Sequence, residues 1–153
     1  MLRIRGHHLL CILGFRGEGY DSAFVENMGR VAYAIQSQPD LRLTVCDSCD
    51  DICGGCPHAR NNTCRKHHGA AAATRQMDCA VLSRLKLRKG ETVTVNEAYQ
   101  RVADRIEVED IAHTFCTECE WRSLGFCGEG LRALKEGKFF DTAEEAGSGL
   151  GRF

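Results

Sequence analysis

The clearest periodic stretch follows a helix start signal. Asp21 or Ser22 can cap a helix, and Phe24, Met28, Val31, Ala32 and Ile35 recur behind it at helical spacing, predicting an amphipathic helix over residues 22–37 that Pro39 ends. Leu41, Leu43 and Val45 then alternate with polar residues, which predicts one short strand. From Cys46 to Cys64 the periodicity disappears into Cys, Asp, Gly and Asn, as in a loop organised by something other than a core. Helical spacing returns over residues 65–86, where Ala70–Ala73 favour helix and Met77, Val81, Leu82 and Leu85 supply a buried face. Thr94-x-x-Glu97 has the form of a capping box, with Val95, Ala98, Tyr99, Val102, Ala103 and Ile106 along one side of the helix it opens. A second cysteine-rich loop covers 116–128, and Leu131 and Leu134 mark a short helix closed by Gly137.

Residues 1–20 open with a basic strand or turn, then the apolar His7–Leu13 segment, then Gly14, Gly17 and Gly19. These glycines fit neither phosphate-loop spacing and predict a tight loop that uses positive φ. The expected fold is mainly α, a small single domain over residues 1–145. Two cysteine-rich metal-binding loops lie between its helices, there is at most a short strand element, and a flexible tail covers 146–153.

At 153 residues, with 43% hydrophobic and 27% charged residues, the chain can build an ordinary core without covalent staples. A formal net charge of −1 gives no general basic footprint, so nucleic acid is not indicated; Arg60, Arg65 and Lys66 read as a solvated helix face. No stretch approaches the ~20 apolar residues of a membrane span. The apolar run after Arg3 and Arg5 is too short for a signal-peptide core, so a cytoplasmic location is expected.

Composition changes the picture at one residue type: there are ten cysteines. In a reducing compartment, clustered cysteines point to metal or catalysis rather than disulfides. Their spacing is repeated. Cys53-x2-Cys56-x7-Cys64 recurs as Cys116-x2-Cys119-x7-Cys127. A C-x2-C turn directs two sulfurs at one centre and the x7 loop returns a third, and thiolates suit iron–sulfur clusters and zinc. Each triplet is one ligand short of four. Cys46, Cys49, Cys11, His7, His8, His58, His67, His68 and His113 are available to complete it, either at two separate sites or at one shared cluster. The triplets stand too far apart for a compact zinc ribbon, which favours iron and sulfide, with zinc as the alternative.

Several motifs then occur in order: Arg5-Gly6-His7-His8-Leu9-Leu10-Cys11, Gly14-Phe15-Arg16-Gly17, Asp50-Asp51-Ile52-Cys53-x2-Cys56-Pro57, Met77-Asp78, and Cys116-x2-Cys119-x-Trp121 with Gly125-x-Cys127. Together they resemble domain-of-unknown-function family 1284 of bacteria and archaea, over about residues 3–135. The resemblance implies iron–sulfur binding and leaves the activity open. It points to Cys53, Cys56, Cys64, Cys116, Cys119 and Cys127 as metal ligands and to His7, His8 and Cys11 as a cofactor-binding N-terminal element. Cys46 and Cys49 stand outside the pattern.

Other chemistry is weaker. A His7–His8–Cys11 nucleophile needs a base facing the thiol, which two adjacent histidines in a regular element do not readily provide. Asp47, Asp50 and Asp51 lack the glycine and the glutamate of a calcium loop. Cys79, beside Met77 and Val81, reads as a small buried hydrophobe, and Trp121 as a shield or core filler. The expected function is therefore binding of an iron–sulfur cluster, a 4Fe–4S centre, for electron transfer or structure with an unidentified redox or protein partner. The alternative is a structural zinc module for protein or nucleic-acid interaction.

Overall fold

Leu2 and Ile4 alternate with Arg3 and Arg5 in a first strand, β1 (Leu2–Arg5), and this strand decides how the chain is wound. β1 lies parallel to β2 (Arg42–Cys46), Leu2 opposite Leu43 and Arg5 opposite Cys46. A parallel pair needs a long crossover, and here the crossover carries α1 (His8–Gly14) and α2 (Ser22–Ser37). β5 (Thr92–Thr94) runs antiparallel along the other edge of β2, giving the order β1–β2–β5. In this computed structural model, residues 1–117 and 119–140 are described. The expected tail at 146–153 and the expected domain end at 145 lie outside them.

The molecule is a small single domain, mostly helical, with a mixed sheet. The sheet corrects the expectation of at most a short strand element. β1 falls where a basic strand or turn is expected, and β5 is hidden by its length, because Thr92-Val93-Thr94 reads as no more than the approach to a cap. A further hairpin joins β3 (Ala59–Arg60) to β4 (Thr63–Cys64). Its two loop residues, Asn61 and Asn62, both have positive φ, the backbone a two-residue hairpin turn requires.

The helix caps hold as expected. Asp21 accepts from the Phe24 N–H at 2.8 Å, and α2 buries Phe24, Met28, Val31, Ala32 and Ile35. Helix α4 (Val95–Arg105) carries the reciprocal capping box of Thr94 and Glu97. Helix α3 (Ala70–Leu85) begins at residue 70 rather than 65, because Gly69 sits at φ +77° just before it. Arg65 and Lys66 therefore lie in a connection and not on a helix face. On α3, Asp78 is as fully buried as Val81 and Leu85, and Cys79, one position on, points outward and is exposed rather than buried.

After α4, a short α5 (Val108–Asp110) runs into a π-helical turn, Ile111–Phe115, which delivers the chain to Cys116. Such turns recur at functional sites. Helix α6 (Phe126–Lys135) follows.

Helix α1 is the buried hub, with Leu9, Leu10 and Ile12 wholly enclosed and the Tyr99 hydroxyl donating to the Leu9 carbonyl at 2.9 Å. It crosses α6 at two glycines. A Cβ on Gly130 would strike the Leu13 carbonyl, and one on Gly14 would stand 2.7 Å from the Cys127 sulfur. Gly14 is thus a close-approach glycine, and of the three glycines in GFRGEGY only Gly17 has positive φ.

Candidate metal centre

The turn from β1 into α1 carries Arg5, His7 and His8, and two carboxylates from distant segments meet it. Arg5 is 3% exposed and Asp78 0%, so their charges must satisfy one another. The guanidinium donates through Nε and Nη2 to Asp78 Oδ2 at 2.8 and 2.7 Å. Burial works to lower the Arg5 pKa, but the Asp78 pair outweighs it and raises it. Asp78 Oδ1 accepts from the His7 backbone N–H at 3.0 Å and from His7 Nδ1 at 2.6 Å. Burial pulls against the Asp78 charge, yet His7 and Arg5 hold its pKa below the usual range. His7 itself is lowered from 6.5 to about 4, by burial first and the neighbouring His8 second, and is neutral near pH 7. A carboxylate only accepts, so the ring proton sits on Nδ1 and Nε2 keeps its lone pair.

Asp50 repeats this arrangement on the other histidine. Its Oδ2 accepts from His8 Nδ1 at 2.8 Å and from the Arg5 backbone N–H at 2.7 Å, and its Oδ1 from the Ile52 and Cys53 N–H groups at 3.0 Å each. Burial opposes its ionisation, but His8 and these donors push its pKa well down. Asp50 thereby shapes the 3-10 turn Cys53–Gly55 and binds it to the start of α1. Among the described residues, His8, Asp50 and Cys53 are the one group of three metal-ligating side chains with donor atoms all within 4.8 Å. Both Asp50 oxygens are already committed to four donors, so Asp50 reads as a support that orients His8 and Cys53.

Sulfur accumulates against this support. Cys53, Cys56 and Cys64, together with Cys116, Cys119 and Cys127, line one cavity of about 370 Å³. His7, His8 and Cys11 line it too. Every residue predicted for the site thus faces a common space. All ten cysteines are free. Arg5 Nη1 points at Cys53 Sγ at 3.8 Å, and the His58 backbone N–H at Cys56 Sγ at 3.4 Å. Burial pushes two of these thiols up, Cys116 to about 12 with Cys119 and Cys127 beside it, and Cys127 to about 11 with Cys119 beside it. In the absence of a cation these groups stay protonated at neutral pH. Trp121 packs on Tyr20 and Phe24 and closes the cavity on an aromatic side, and Lys66, which lines it, pairs with Glu120 at 2.5 Å. Cys46 is turned away, its thiol directed to the Ser48 carbonyl at 3.5 Å.

The sequence profile of the family described as "Protein of unknown function (DUF1284)" matches residues 19–125. The chain belongs to this family. No curated protein and no solved structure matches it. The matched span covers Cys53, Cys56, Cys64, Asp50, Asp78, Cys116 and Cys119, while Arg5, His7, His8 and Cys11 precede it and Cys127 follows it.

The donor set can be tested for what it fits. A single tetrahedral zinc with Zn–S of 2.3 Å needs sulfurs about 3.8 Å apart. No three cysteine sulfurs among the described residues lie within 4.8 Å of one another. The irons of a cluster are themselves separated, so its terminal thiolates stand farther apart than the ligands of one ion. Soft thiols in excess, N–H groups aimed at sulfur and burial from water are the surroundings that tune such clusters. The residues that sequence reasoning left without a role are Arg5, Asp50 and Asp78. Each stands inside a motif that carries the family resemblance, but a charged residue gives no sign in sequence of being buried.

Proposed function

We propose that this protein binds an iron–sulfur cluster through the two cysteine triplets and uses it to carry single electrons to and from a protein partner. The observation that carries this reading is the convergence of six loop cysteines and Cys11 on one cavity. Cys53, Cys56, Cys64, Cys116, Cys119 and Cys127 serve as thiolate ligands, and a 4Fe–4S cluster fits thiolates alone. His7 and His8 line the same space with Nδ1 held by a carboxylate, which suits them to orient or complete the first coordination sphere. The buried thiols lose their protons when metal enters, so loading weakens as pH falls.

Among the described residues no helix is long and apolar enough to cross a membrane. We place the protein in a reducing compartment, where these thiols remain available.

Anaerobic purification or reconstitution, followed by iron and acid-labile sulfide analysis, tests the reading. Matching iron and sulfide are expected, with a visible absorption that dithionite bleaches. Cys56→Ala and Cys119→Ala should each reduce iron content, while exposed Cys79→Ala should not. Stoichiometric zinc without sulfide would replace this reading with the structural zinc module.

A further inference from the structure

We infer that the cavity cysteines divide into two separate metal centres, with Cys11 completing Cys116, Cys119 and Cys127 as a four-thiolate site. This rests on the cluster-binding reading above and goes beyond it in number and assignment.

Helices α1 and α6 touch without side chains between them at Gly14 and Gly130. At that point the Gly14 backbone lies against Cys127, so closely that a Cβ there would stand 2.7 Å from its sulfur. Cys11 is three residues before Gly14, and residues i and i+3 share a helix face. The Cys11 thiol therefore projects from the face of α1 that α6 covers, toward the first turn of α6 where Cys127 sits. Cys116 leaves the π-helical turn beside the same junction, and the Cys119 N–H bonds back to the Cys116 carbonyl at 3.2 Å, which folds the x2 turn under it.

The other triplet is built elsewhere on the wall. Cys53 is held from β1 by Arg5 and from its own turn by Asp50. Cys64 sits opposite Ala59 in the hairpin that follows Cys56.

The test is a count. After anaerobic reconstitution with iron and sulfide, the parent should hold about eight irons and eight sulfides, as two 4Fe–4S centres require. Cys11→Ala and Cys119→Ala should each keep about half, as should Cys56→Ala, and the spectra of the two kinds of half-loaded protein should sum to the parent's. The retained half is itself evidence that a variant has folded. A parent with about four irons, all of them lost in variants of either triplet, would mean one shared cluster and overturn the division. So would Cys11→Ala with the parent's full content. Absence of sulfide from the parent would sink the cluster reading and not the division. The division would then be upheld by two bound zinc ions per chain and overturned by one.

Discussion

Segments 53–64 and 116–127 share the spacing C-x2-C-x7-C and fold differently around it. In the first, a 3-10 turn and a two-residue hairpin bring the thiols together, and buried charges hold them. Asp50 receives four donors there, and Arg5 links Asp78 to Cys53. In the second, a π-helical turn, a 3-10 turn at Arg122–Leu124 and the start of α6 do the positioning, with apolar contact and a glycine crossing inside and the ion pairs Lys66–Glu120 and Arg16–Glu129 at the surface in place of buried charges. Spacing records what sulfurs need in order to reach one centre. Local structure records which groups satisfy the backbone between them. The two are independent, and each region should therefore fail in its own way.

The largest expected effect is on the charged side. Asp78→Ala leaves the Arg5 guanidinium buried without its partner, a change that costs about 3–5 kcal/mol at buried pairs. Urea denaturation of the metal-free protein should show this loss, and Arg5→Met combined with Asp78→Leu should recover most of it. A loss below about 1 kcal/mol for Asp78→Ala would mean that the network does not hold the first region together.

pH acts on the same network. With the His7 pKa lowered from 6.5 to about 4, the folded chain binds fewer protons than the unfolded chain between those values. Stability from this group is complete above pH 6.5 and is lost as pH falls toward 4, by roughly 3 kcal/mol for a shift of that size. Asp50 and Asp78, both held below 3.8, extend the loss to more acid pH. Denaturation of the metal-free protein at pH 7, 5.5 and 4.5 should follow this slope, and His7→Gln should flatten it. A parent whose stability is level across the window would contradict a neutral buried His7.

How much could be read beforehand follows the same divide. Helices α2 and α4 were legible because Asp21 and Thr94–Glu97 announce their starts and their apolar faces are unbroken. The six cysteines of the repeated spacing stand out in sequence because they lie in polar loops, and the structure brings them to one cavity. Asp78 was not, since a carboxylate at a core position breaks the apolar pattern of α3 and reads as surface. Its neighbour Cys79 was misread for the same reason: taking Met77 and Val81 as the centre of the buried face turned Cys79 inward, when the face is centred on Asp78. The Gly14–Gly130 crossing was hidden because glycine in sequence signals a turn more readily than a contact.

That crossing gives a prediction for the second region. Alanine is better than glycine inside a helix by about 1 kcal/mol, so Gly130→Ala would stabilise α6 taken alone. The added methyl meets the Leu13 carbonyl, a backbone group that cannot rotate away, and overpacking of this kind costs about 1–3 kcal/mol. The contact should win, giving a net loss of roughly 1 kcal/mol, and Gly14→Ala should behave alike because of Cys127. Both substitutions push α1 off α6. They should lower cluster content at Cys11, Cys116, Cys119 and Cys127 while sparing Cys53, Cys56 and Cys64. Equal losses at the two triplets would show that the regions are not independent.

The smallest effect, and the sharpest comparison, is in reduction potential. Potentials of bound clusters rise with hydrogen bonds to sulfur and with nearby positive charge. Cys53 has both from Arg5, whose Nη1 lies 3.8 Å from its sulfur and whose charge favours the thiolate. In the second region burial and the neighbouring thiols dominate the ionisation of Cys116 and Cys127, and Arg16 and the Gly14 backbone are lesser influences on Cys127. A cluster on Cys53 should therefore accept an electron at higher potential than one on Cys116. Arg5→Gln alone would strand Asp78, so the informative variant is Arg5→Gln with Asp78→Asn, which removes both charges together. The 3.8 Å contact is long, and a loss of roughly 1 kcal/mol corresponds to about 40 mV for one electron. A redox titration followed by electron paramagnetic resonance should show the higher-potential signal falling by that amount and the lower one unmoved. If the lower-potential signal shifts instead, Arg5 tunes the opposite wall, and the contrast between a charged and an apolar region does not extend to the bound metal.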